Sequence, residues 1–161
     1  MPSAYRVSRT VRVEAPPAAV FPHLSDLRRW TAWSPWEGMD PHMVRTYSGT
    51  QGQVGSGYAW NGNRQAGEGS MTVTGLEPSR RVDIDLHFTR PFPADNVIRL
   101  DVDPESEGSA SVVTWTMSGE HGRLMGVLSR FMPMEKMVGQ DFEKGLAQLK
   151  VVVEEGQRSE G

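Results

Sequence analysis

Few residues in this chain could move a proton. Glu68 stands between Gly67 and Gly69, where a backbone bulge could turn its carboxylate inward and desolvation would raise its pKa toward general acid or base work. Plain alternation from Met71 and Val73 gives the opposite expectation, Glu68 on the solvent face. Arg90, just before Pro91, could pair with Glu68 or with a ligand carboxylate, a surface ion pair being the simpler reading. His121 is a further acid/base candidate, and Asp141 adjoins Phe142 at what would be a cavity rim. The histidines, His23, His42, His87 and His121, show neither metal-ligand spacing nor an HExxH pattern, so no metal site is predicted. His87 shares its strand face with Asp83 and Asp85 and is expected in solvent. The chain has no cysteine, which removes thiolate nucleophiles and gives no support for an oxidising compartment. Gly52-Gln-Val-Gly55-Ser-Gly57 lacks the G-x-G-x-x-G order and a following helix, so no dinucleotide cofactor is expected.

The apolar residues are better organised than the ionisable ones. Val138, Phe142, Leu146, Leu149 and Val153 recur at three- and four-residue steps between Met132 and Glu155, with Glu135, Lys136, Glu143, Lys144 and Lys150 opposite. That is the stripe of one amphipathic helix. Before it, Tyr5, Val7, Val11 and Val13 alternate with polar residues as a half-buried strand does, and Pro16-Pro17 open a short helix with Val20, Phe21 and Leu24. Ser25 or Asp26 can cap a second, Leu27 to Trp33, stopped by Pro35. From about Met43 to Gly119 the punctuation by glycine and proline predicts roughly six antiparallel strands. The clearest place Val82, Ile84, Leu86 and Phe88, then Ile98, Leu100 and Val102, then Val113, Trp115 and Met117 on one face. A polar hairpin loop is expected over Pro104 to Gly108. A further helical segment is expected between Arg123 and Phe131, set off by Pro133, and the residues after Glu155 are expected to fray.

These elements predict an α+β domain spanning residues 1–161: a curved antiparallel sheet of about seven strands gripping a long C-terminal helix, with two short helices after the first strand. A sheet with one helix as its lid makes a cavity easy to build. Candidates for its wall are Trp33, Trp36, Trp60, Met71, Phe88, Trp115, Met117, Met134, Val138, Asp141 and Phe142. The tryptophans and methionines can equally serve as core filling, and at Trp33 and Trp36 plugging is the plainer reading.

The order of elements resembles the helix-grip fold of the START-like, or SRPBCC, superfamily. Trp33-Ser-Pro-Trp36-Glu37, Trp60-Asn-Gly62, Gly67-Glu-Gly-Ser-Met71, Phe88-Thr-Arg-Pro-Phe92, Val113-Thr-Trp-Thr-Met117-Ser-Gly119 and Phe142-Glu-Lys-Gly-Leu-Ala-Gln-Leu-Lys150 look like its bacterial polyketide cyclase/dehydratase and lipid-transport branch. The resemblance implies a hydrophobic tunnel between sheet and helix, used across the superfamily for sterols, lipids, polyketides and plant metabolites.

Three functions compete. The first is binding or transport of a small hydrophobic molecule, and the second a cyclase or dehydratase in which Glu68, assisted by Arg90 or His121, moves protons. The third is a protein-interaction module using the outer sheet face, which would need an exposed apolar patch. The net charge of −3, from 17 basic and 20 acidic residues without basic blocks, makes nucleic acid an unlikely partner. No apolar run of ~18 residues suggests a membrane span or leader, so a cytoplasmic home is the default. An edge strand could pair in a homodimer.

Overall fold

The computed structural model describes residues 4–35, 42–63, 67–90, 94–120 and 134–160. Seven strands form one open antiparallel sheet in the order β1-β7-β6-β5-β4-β3-β2. They are β1 (Ala4–Val13), β2 (Val44–Ser48), β3 (Gly57–Asn61), β4 (Glu68–Glu77), β5 (Arg81–Arg90), β6 (Ala94–Glu105) and β7 (Ala110–Glu120). Each strand from β2 onward pairs with the next in sequence, and β1 closes the far edge against β7. The curved sheet with short helices after its first strand and a C-terminal helix is the helix-grip arrangement.

Among the described residues a helix and a 3-10 turn follow β1, and a long helix follows β7. Helix α1 (Pro17–Ser25) opens on Pro16 and Pro17, whose fixed φ and missing N–H are tolerated at a first turn. The 3-10 turn Leu27–Ala32 is capped by Asp26, whose carboxylate accepts the Arg28 N–H at 3.0 Å. Helix α2 (Met134–Glu160) begins after Pro133 and runs past Glu155. The residues expected to fray carry helical backbone as far as Glu160. The segment Arg123 to Phe131 lies outside the described residues. The predicted loop after Val102 is also shorter than expected: β6 continues through Pro104 and Glu105, with Pro104 opposite Ser111, leaving a turn over Ser106–Gly108.

Curvature comes from β4 and β5. Their register shifts between Val73 and Gly75 and again between Glu68 and Gly69, and such bulges bend a strand pair and strengthen its twist. Val82, Ile84, Leu86, Ile98, Leu100, Val102, Val113 and Trp115 are buried on the concave face. Against them sit Leu24, Leu27, Phe142, Leu146, Leu149 and Val153. The stripe from Phe142 to Val153 is therefore the buried face of α2. Gly145 permits its close approach: a β-carbon there would stand 2.7 Å from Pro35 Cδ and 3.2 Å from Trp115 Cζ3.

Candidate functional site

The concave face divides into a filled half and an aromatic half. In the filled half Trp115 stacks on Phe142 with ring centroids 4.0 Å apart. Trp33 and Trp30 meet Trp115 edge-on at 5.4 and 5.7 Å. All four rings are buried, and the indole N–H groups of Trp30 and Trp33 donate to the carbonyls of Leu24 and His23, each at 2.9 Å. Partnered indole nitrogens and tight ring contacts are the marks of a rigid core. Trp33, Trp115 and Phe142 thus join the short helices, β7 and α2 into one plug.

The other half carries a row of rings along β2, β3 and β5. Tyr47 faces Tyr58 at 5.1 Å, Tyr58 stacks beside Trp60 at 5.8 Å, and Trp60 meets Phe88 edge-on at 5.7 Å. Register explains the row: Tyr47 is opposite Tyr58, Tyr58 opposite Met71, and Trp60 opposite Gly69, which in turn pairs with Phe88. Tyr47, Trp60 and Phe88 are only partly buried. Among the described residues the helices pack chiefly against β1 and β5 to β7, so these rings line the end of the concave face away from the plug. The Arg28 guanidinium lies 5.0 Å over Tyr47, bringing the 3-10 turn to the edge of the row. Met71, opposite Tyr58, and Met117, opposite Ile98, are buried.

Glu68 does not join this row. It pairs with Asn61, the neighbour of inward-facing Trp60, and so lies on the opposite face. The bulge expected beside it exists, but it acts on β5. Glu68 is opposite Arg90 while Gly69 is opposite Phe88, so Thr89 is the extra residue and Arg90 is brought beside Glu68. Arg90 Nε donates to Glu68 Oε2 at 3.0 Å, with side-chain exposures of 53% and 42%, and Arg90 Nη2 donates to Asn61 Oδ1. The ion pair anticipated for these two residues is present, on the solvated side of the sheet.

This curved sheet, plug and helix agree with a sequence comparison. Residues 4–154 match the family model described as polyketide cyclase / dehydrase and lipid transport. The chain belongs to this polyketide cyclase/dehydrase family. No curated protein matches it. Solved structures share the fold at low identity. A Staphylococcus aureus protein of unknown function superposes with a TM-score of 0.71 at 11% identity, covering 98% of each chain. A Thermobifida fusca protein gives 0.66 at 20%, covering 92% of each. A protein of the dynemicin biosynthetic locus gives 0.63 at 17%, with 94% of this chain matched to 48% of that one. Such likeness establishes the fold and leaves the activity to the site.

Of the other residues anticipated for the family's cavity, Trp36 and His121 lie outside the described residues, as do the side chains of Met134 and Val138 at the start of α2. Asp141 is half-buried, one position before Phe142. His87 is exposed on the outer face and pairs with Asp95 there. That face carries Thr72, Asp83, Asp85, Arg99 and Thr116 around Val97, which is 50% exposed, so the described part offers no contiguous apolar patch for a protein partner. His23, half-buried on α1, has its pKa lowered by burial and by the nearby Arg29 charge. Among the described residues no helix is long and apolar enough to cross a membrane. Two inward residues escaped the sequence reading, Tyr47 and Asn96. The parity of Ile98, Leu100 and Val102, carried back one step, would have found Asn96.

Proposed function

We propose that this member of the polyketide cyclase/dehydrase family binds a small hydrophobic molecule against the aromatic row of β2, β3 and β5. The observation that carries the reading is the contrast between the two halves of one concave face. Trp30, Trp33, Trp115 and Phe142 are buried against one another, whereas Tyr47, Trp60 and Phe88, facing the same way, are only partly buried. Partly covered aromatic rings beside buried methionines suit a flat apolar ligand, since stacked and edge-on contacts extend the existing row and methionine adapts to its outline. In this reading Trp60, Met71, Phe88 and Met117 form the wall, and Trp33, Trp115 and Phe142 form its rigid floor. Proton chemistry on the ligand is not routed through Glu68, whose carboxylate is ion-paired on the other side of the sheet.

Native mass spectrometry and thermal shift against lipids, quinones and polyketides test this reading. A true ligand gives a one-to-one complex. At about 100 times its Kd it stabilises the fold by ~2.7 kcal/mol, a rise of roughly 5–10 °C for a chain of this size. Trp60→Leu should weaken the same complex. Retention of no compound, or shifts that Trp60→Leu leaves untouched, would defeat the assignment.

A further inference from the structure

Asn96 interrupts an otherwise apolar column of the concave face. It precedes Ile98, Leu100 and Val102, all inward and buried, and is itself only 6% exposed. Its neighbours across the ladders are Leu86 on β5 and Gly119 on β7. Leu86 continues the same rung to Met71 and Tyr58, so the amide shares a rung with the aromatic row. Gly119 contributes no side chain beside it. Among the described residues no group hydrogen-bonds the Asn96 side chain, although the amide offers two N–H donors and a carbonyl acceptor.

An amide so little exposed, with no partner among the described residues, is satisfied less well than one at the surface, and leucine or valine would suit the apolar column better. Such a local conflict with the core pattern is expected where a residue serves a ligand. The chemistry of that ligand follows from the surroundings. Tyr58, Met71, Leu86 and Met117 provide no counter-charge at this level, and an ion held there would lose its hydration without compensation. The amide can meet either a carbonyl or a hydroxyl, and the rings beside it favour a flat molecule.

We propose that Asn96 is the specificity-determining residue of the pocket and that it hydrogen-bonds one uncharged oxygen, carbonyl or hydroxyl, of a flat ring-bearing ligand. This rests on the ligand-binding reading above. The preference is set by unpaired hydrogen-bonding capacity on the protein: a ligand without the oxygen leaves the amide unsatisfied, while a leucine in its place has nothing to offer that oxygen.

The test uses two probes of one shape, 2-naphthol and naphthalene, with the full chain and its Asn96→Leu and Asn96→Ala variants. Kd is taken from NMR titrations that also follow the Asn96 side-chain amide resonances. The ratio of naphthalene Kd to naphthol Kd should fall ~10-fold in both variants relative to the parent chain, naphthalene affinity in Asn96→Leu being kept or improved. The amide resonances should move with naphthol far more than with naphthalene, and Asn96→Leu should melt above the parent. If both probes bind and the ratio is the same in all three proteins, the role of Asn96 is overturned while the pocket stands. If neither probe binds the parent chain, the pocket reading fails and takes this inference with it.

Discussion

The indole of Trp60 lies on Gly69, the residue opposite it on the next strand, so closely that a β-carbon at position 69 would stand 2.7 Å from Trp60 Cη2. The same β-carbon would press on the His87 carbonyl oxygen. A glycine in a strand normally weakens a sheet, but here the space of the missing side chain is taken by the Trp60 ring. Glycine and tryptophan together set the position of the aromatic row.

Gly69→Ala should therefore destabilise the fold by about 1–3 kcal/mol, the range for overpacking a filled site. Because both the β5 backbone at His87 and the Trp60 ring must give way, ligand affinity should fall with it. Urea denaturation gives the first quantity and probe titration the second. A variant as stable as the parent, with the same affinity, would show that the row does not depend on this contact.

Phe142 on α2 and Phe88 on β5 should behave in opposite ways. Phe142 is fully buried against Trp115, and Phe142→Ala should cost ~3–5 kcal/mol through lost transfer energy and a cavity. Phe88 is only partly buried beside Trp60. Phe88→Ala should cost less stability and more ligand affinity. Parallel denaturation and binding curves on both variants check the ordering, and equal losses in both assays would contradict the division into floor and wall.

The Glu68–Arg90 ion pair spans a bulge in solvent. With both side chains some two-fifths or more exposed, screening leaves little net energy, so Glu68→Gln should change stability by less than ~1 kcal/mol and leave ligand affinity unaltered. Catalysis through this carboxylate would instead be read as loss of turnover with affinity preserved.

Stability should also carry a signature of His23. Burial and the Arg29 charge hold its imidazole below the ordinary value of 6.5, so the unfolded chain takes up a proton at a pH where the folded chain does not. Stability must then rise with pH from the lowered folded value up to about 6.5 and level off above it. Denaturation midpoints between about pH 5 and 7.5 should fall on the acid side, and His23→Gln should flatten part of that slope. An unchanged slope would remove His23 as its source.

Much of the fold was legible because it follows from periodicity. Phe142, Leu146, Leu149 and Val153 mark the buried face of α2 by spacing alone, and Ile98, Leu100 and Val102 mark the inward face of β6, since the helical and strand repeats fix which side chains share a side. The end of α2 was less legible, because a polar tail can fray or continue and its composition does not separate the two. The candidate site was legible in part. Trp60, Met71, Phe88 and Met117 follow from parity, whereas Asn96 was hidden because a polar residue at an inward position reads as a strand end.

What the sequence by itself determined is the set of faces: a helix-grip order of elements, an apolar side for each strand, and one amphipathic helix to cover them. Only the tertiary structure decided what those faces do, because residues of the same type and parity met different neighbours. Trp33 and Trp115 met Trp30 and Phe142 and closed into a plug. Trp60 met Gly69 and stayed only partly buried, and the shift in register beyond it set Arg90 beside Glu68. Pairing across strands is a long-range choice, and no local pattern in the chain carries it.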